Sequence, residues 1–157
     1  WKEGCSGCSF VADHIDGSNL HLAHHDVTLL TVSRAKLSEF LPFKKRMGWN
    51  FEWVSSNGSD FNFDYGVSFT PDQLAKGKAV YNFREEKIDS EEMPGLSVFY
   101  KNEKGEVFHT YSTYTRGLDI LLTAYNYLDM APLGRNETGT MSWMRHHDQY
   151  EGSGSSC

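Results

Sequence analysis

The sequence predicts an α/β domain in which a central mixed sheet is flanked by helices and carries an aromatic-rich insert. Three observations carry this. Strand-like apolar runs alternate with stretches of helical spacing in the first half, which implies parallel strands joined through helices. The segment "LSVFYKNEKGEVFHTYSTY", residues 96–114, reads as two strands joined by the polar turn 102–105. After it, Leu118, Leu121, Leu122, Tyr125 and Leu128 recur at the spacing of a core-facing helix. At 157 residues the chain is long enough to bury a core without covalent staples.

The elements follow in order. A helix is expected from about Ser6 to His14, interrupted at Asp16-Gly17. "DVTLLTVS", residues 26–33, is β-branched and almost wholly apolar, as a strand covered on both faces would be. Ser33 is placed to cap the helix of "RAKLSEFLPFKKRMG", with Pro42 a kink or restart and Gly48 its stop. "FEWVSS" alternates as a strand and "NGSD" turns. The aromatic stretch "FNFDYGVSFT" reads as irregular. Thr70-Pro71 then opens a short helix over 71–76, closed by Gly77, and "AVYNFRE" reads as one more strand. Residues 1–150 are expected to form one domain and 151–157, "EGSGSSC", a disordered tail.

A net charge of −6 with scattered Lys and Arg offers no positive stripe for phosphates, which argues against nucleic acid. No apolar run is long enough for a membrane span, and the start "WKEGCSGC" lacks the regions of a signal peptide. These points argue against a membrane partner and for a cytoplasmic location. Three cysteines, two of them close neighbours, do not make a disulfide framework.

Cys5 and Cys8 stand three positions apart, the spacing of a redox dithiol and of half a zinc site. With His21 and His25 they match the written spacing of a two-Cys two-His finger. The residues between are wrong for a finger: Ala12 and Ser18 stand where its aromatic and leucine belong, and Asp13, Asp16 and Gly17 replace a basic surface. "HLAHHD" then reads as a solvated connection, and neither a metal nor a cofactor is expected. At a helix start, free amides and the helix dipole stabilise a thiolate. Cys5 is then the attacking thiolate. Cys8, one turn on and more enclosed, resolves the mixed disulfide.

Over nearly the whole chain, "GCSGCSFVADHIDG", "DVTLLTVSRA", "KKRMGWNFEWVSSNGSDFNFDYGVSFT", "PGLSVFYKNEKGEVFHTYSTYTRGLDIL" and "YNYLDMAPLGR" resemble an uncharacterised bacterial family of unknown function. That family is regarded as thioredoxin-like, and its members as dithiol-disulfide oxidoreductases. The resemblance implies a thioredoxin-like fold, with Cys5 as nucleophile, Cys8 as resolving thiol and Pro94 as the active-site cis-proline facing them. It also implies an apolar strand before the dithiol, whereas four residues precede Cys5. The chain therefore reads as truncated at its N-terminus, with one or more first strands missing. A sheet short of an inner strand invites homodimerisation.

Other residues are weighed against plainer roles. Asp13 and Asp16 could accept the resolving cysteine's proton but read better as exposed surface. Arg84 and Arg116 could stabilise a thiolate or a peroxide but fit solvation or ion pairing. His109 reads as a packed core histidine. Trp49, Phe51, Trp53, Phe61, Phe63, Tyr65 and Phe69 read as core, with some lining a substrate groove. His146, His147 and Cys157, on a flexible tail, offer a metal no prepared geometry. The leading expectation is thiol-disulfide exchange with a protein or small-molecule disulfide. The alternatives are peroxide reduction by the same thiolate, or a metal-binding or scaffold module without catalysis.

Overall fold

The structure, a computed structural model, describes residues 3–151. It is mixed α/β, with helices and small sheets. The described residues fall into two compact units. One holds the residues up to Gly58 together with those from Asp119 onward, and the other is Ser59–Leu118.

In the first unit, helix α1 (Ser6–His24) is followed by strand β1 (Leu30–Ser33), helix α2 (Leu37–Arg46) and strand β2 (Glu52–Ser55), with helix α5 (Thr123–Met130) returning later. Strands β1 and β2 are parallel, with Leu30 opposite Glu52 and Ser33 opposite Ser55. Helix α1 is longer than its sequence pattern predicts. It runs through Asp16-Gly17 because Asp16 takes amides from the chain entering β2: its Oδ1 accepts from Asn50 N at 2.7 Å and Phe51 N at 2.8 Å. The histidines of "HLAHHD" thus end a helix instead of forming a connection.

Two apolar clusters grip α1 on either side. Ala12 packs with Phe43, Met47, Trp49 and Phe51, and Phe10 with Leu122, Tyr125 and Met144. Helix α2 passes through Pro42 unbroken and stops at Gly48, whose φ of 68° is the left-handed conformation of a helix end. Its start is Lys36 and not Ser33, and Lys36 N donates to Glu39 Oε2 at 3.3 Å. The chain around β1 is not covered on both faces. Val27 and Leu30 are exposed, so the apolar run is less buried than its composition implies.

The second unit holds the short helices α3 (Phe61–Asp64) and α4 (Pro71–Lys76) and two antiparallel hairpins. Helix α4 has the expected bounds. Thr70 Oγ1 accepts from Gln73 N, Gln73 Oε1 accepts from Thr70 N, and Gly77 closes it at φ 66°. "AVYNFRE" is two strands, β3 (Lys78–Tyr81) and β4 (Arg84–Lys87), around a turn in which Asn82 and Phe83 both have positive φ. Strands β5 (Gly95–Lys101) and β6 (Val107–Tyr114) form the expected hairpin, with a bulge between Val98 and Phe99. Phe69, Ala79, Tyr81, Ile88 and Tyr114 are the core of this unit.

Among the described residues the strands pair two by two, and the expected central mixed sheet is not formed among them. The final helix is divided: a 3-10 helix over Thr115–Leu121, then α5 after Leu122 at φ −97°, ψ 81°. Among the described residues no helix is long and apolar enough to cross a membrane.

Candidate functional site

Cys5 is the N-cap of α1, in extended backbone at φ −65°, ψ 153°. Its side chain does what a capping serine or aspartate would do, since Sγ accepts the backbone N–H of Cys8 at 3.0 Å. Below it, Ser9 donates both N–H and Oγ–H to the Cys5 carbonyl, each at 2.9 Å. Cys5 and Cys8 are joined by a disulfide, with Cα atoms 5.2 Å apart. Both residues are exposed. A sulfur at a helix N-cap lies where unpaired amides and the dipole favour negative charge. Such an arrangement is able to stabilise a thiolate at Cys5 once the disulfide opens.

The neighbours of the dithiol come from the C-terminal segment and from α2. A side chain at Gly7, between the cysteines, would meet Met141 Sδ at 3.3 Å, so that thioether packs beside the Cys-x-x-Cys turn. His146 is buried, 7% exposed, and its Nε2 lies 2.8 Å from the Gly4 carbonyl. Its Nδ1 lies 3.1 Å from Arg46 Nη2. Arg46 also donates Nε and Nη2 to Asp148 at 2.8 and 3.0 Å, and Nη1 to Glu3 at 2.6 Å. The pair perturbs both members: hydrogen bonding to Arg46 holds Asp148 below the usual carboxylate range, and Asp148 raises the guanidinium of Arg46.

This cluster is missing from the sequence expectations. "MSWMRHHDQY" reads as a polar tail, yet Met144 and His146 are buried in it and Trp143 packs against the Phe10 cluster. The available signal was Trp143 and Met144, two large apolar residues directly before the histidines. The segment is further tied by Glu137 Oε2, which accepts from Tyr125 OH, Met141 N and Trp143 Nε1. His147 reaches Asp13 Oδ1 at 2.7 Å. Cys157 lies outside the described residues.

The remaining expected residues have other duties. Asp13 and Asp16 are not open surface. Asp13 takes Trp49 Nε1 at 2.7 Å as well as His147, and Asp16 holds the Asn50 and Phe51 amides. His14, which no motif singled out, bridges α1 to α5: Nδ1 meets the Phe10 carbonyl and Nε2 accepts from Ala124 N at 3.0 Å. His109 is exposed, not core; the hairpin bulge, whose extra residue is Thr110 in β6, sets it opposite Phe99, and its Nε2 bonds Ser112 Oγ at 2.7 Å. Arg84 pairs with Glu86 at 2.6 Å, and with Arg116 lines a cleft of the second unit beside Tyr81.

Pro94 also belongs to the second unit, where its carbonyl accepts from Tyr81 OH at 2.6 Å. The peptide bond before it is trans, which corrects the cis expectation: no cis bond occurs among the described residues. The zinc-finger set is not assembled. Cys5 and Cys8 are bonded to each other at one end of α1, while His21 and His25 lie at the other, roughly 20 to 30 Å away at 1.5 Å of rise per residue.

The fold and the site define a mixed α/β protein with a disulfide capping its first helix. The chain belongs to the family described as "Bacterial protein of unknown function (DUF899)", whose model matches residues 1–150. No curated protein and no solved structure matches it.

Proposed function

We propose that this protein is a thiol-disulfide oxidoreductase of thioredoxin-like type, working through Cys5 and Cys8. The observation that carries the reading is the N-cap: an exposed Cys5–Cys8 disulfide whose Cys5 sulfur already accepts a helix amide. The order of a dithiol helix, a strand, a helix and a later antiparallel hairpin supports the thioredoxin-like assignment.

In the reducing direction the Cys5 thiolate attacks one sulfur of a substrate disulfide. A Cys5–substrate disulfide forms, the substrate S–S bond breaks, and the second substrate sulfur leaves as thiolate. Cys8, losing its proton, then attacks Cys5 Sγ. The Cys5–Cys8 bond closes and the first substrate sulfur departs, so two electrons pass to the substrate, whose thiolates take up the proton released by Cys8 and one from solvent. The oxidised form runs the same steps in reverse.

The test begins with thiolate ultraviolet absorbance of the reduced protein. It is expected to titrate below the ~8.5 of free cysteine, to lose that component in Cys5→Ser and to keep it in Cys8→Ser. Cys8→Ser is also expected to trap a mixed disulfide with oxidised glutathione, seen as a mass increase. An ordinary titration together with no mixed disulfide would sink the reading. Rapid turnover of peroxide without exchange of disulfides would move the chemistry to peroxide reduction.

A further inference from the structure

We infer that His146 is a positioning residue for Cys5, acting through the peptide group that joins Gly4 to Cys5; the inference rests on the dithiol reading above. The hydrogen-bond roles are forced by chemistry. A carbonyl oxygen only accepts, so the Nε2 facing Gly4 O at 2.8 Å carries the proton. A guanidinium only donates, so the Nδ1 facing Arg46 Nη2 at 3.1 Å accepts. The ring of His146 is therefore held in one orientation, with Nε2 toward Gly4 and Nδ1 toward Arg46. Its ring is oriented from behind by an arginine that Asp148 and Glu3 anchor in turn.

The Gly4 carbonyl and the Cys5 nitrogen share one rigid plane. Fixing the carbonyl therefore fixes the nitrogen about which Cys5 takes its φ of −65°, and with it the approach of Sγ to the Cys8 amide. Gly4 is pressed from the side by Phe43, whose ring would lie 2.9 Å from an added Cβ. The phenyl ring of Phe43 also packs 5.2 Å from the imidazole of His146. In the oxidised protein the disulfide itself restrains Cys5. In the reduced protein that restraint is gone, and Cys5 is held from below by Ser9 and from above by His146. Losing the upper anchor therefore destabilises the reduced thiolate more than the disulfide.

The experiment measures the dithiol–disulfide equilibrium with glutathione and the thiolate titration in the full chain, for wild type, His146→Phe, His146→Asn and His146→Gln. Glutamine carries an amide N–H as far as Nε2 and a carbonyl to face Arg46, whereas phenylalanine donates nothing and asparagine is too short to reach Gly4. His146→Phe and His146→Asn are each expected to shift the equilibrium toward the disulfide by about threefold to tenfold, the worth of one hydrogen bond, and to raise the thiolate titration. His146→Gln is expected to return both to within about twofold of wild type, while the melting temperatures of the oxidised variants fall alike. If wild type exchanges but Phe and Asn leave the equilibrium unmoved, or Gln fails to restore it, His146 is merely structural and the inference is overturned. If wild type itself neither exchanges nor shows a lowered titration, the dithiol reading has failed instead. Should His146→Phe not fold, His146→Asn against His146→Gln gives the same decision.

Discussion

Two glycines flank Cys5, and they do different work. Neither needs a positive φ, so their value lies in what a side chain would meet. At Gly4 an added Cβ would lie 2.9 Å from Cε1 of Phe43, a buried ring with no room to retreat. At Gly7 it would lie 3.3 Å from Met141 Sδ, the flexible part of a thioether. Gly4→Ala is therefore expected to cost about 1–3 kcal/mol by overpacking. Gly7→Ala is expected to be neutral or to stabilise by up to about 1 kcal/mol through helix propensity. Denaturant unfolding of the oxidised variants checks both. Equal effects at the two sites would show that Phe43 does not define the entry to α1.

At the scale of elements, two carboxylates inside α1 act beside its apolar clusters to hold it to its neighbours. Asp16 accepts two backbone amides at the start of β2, and Asp13 accepts Trp49 Nε1 and His147. Asp16→Ala would strand the Phe51 amide beside a fully buried side chain, so a loss of about 2–3 kcal/mol is expected. Faster amide exchange at Asn50 and Phe51 would accompany it, and unchanged exchange there would refute the anchoring role. These contacts also explain what was legible in the sequence. Helix α4 and the β5–β6 hairpin carry their signals locally, in Thr70, Pro71 and Gly77 and in the turn 102–105, so both were readable. Helix α1 was read short because the partners that carry it past Gly17 come from residues 49–51. The β3–β4 hairpin is not legible in the sequence because its turn is Asn82-Phe83, where an Asn-Gly pair would announce it. The closeness of Cys5 and Cys8 is readable in their spacing, which by itself fits a redox dithiol and half a zinc site alike. The surroundings of the pair are not, because Arg46, His146 and Asp148 meet only through long-range folding of a segment whose composition reads as a loop.

For the whole chain, groups with shifted titration in the two units act at opposite ends of the pH range, the acid-end pairs being partly exposed and so weakened by solvent. Asp148 and Asp129, in the first unit, are held below the usual carboxylate range mainly by hydrogen bonds from Arg46 and Arg135. Depressed folded values contribute stability that is present above the unfolded carboxylate range and lost as pH falls through the folded values. Tyr81, in the second unit, behaves oppositely. Burial pushes its hydroxyl up to about 12, only partly opposed by the hydrogen bond from Thr115 N. The folded state then keeps this proton when the unfolded chain has lost it, so its contribution is full below about pH 10 and lost as pH rises toward 12. Two pK units correspond to about 2–3 kcal/mol. The described tryptophans, Trp49, Trp53 and Trp143, lie in the first unit, so their fluorescence follows the acid end, while amide exchange within Ser59–Leu118 follows the alkaline end. Tyr81→Phe removes the titrating group together with its bonds to Pro94 O and from Thr115 N. The variant is expected to be less stable than wild type near neutral pH, with the gap closing from about pH 10 to 12. A gap that stays constant across that range would show that Tyr81 does not set the alkaline limit.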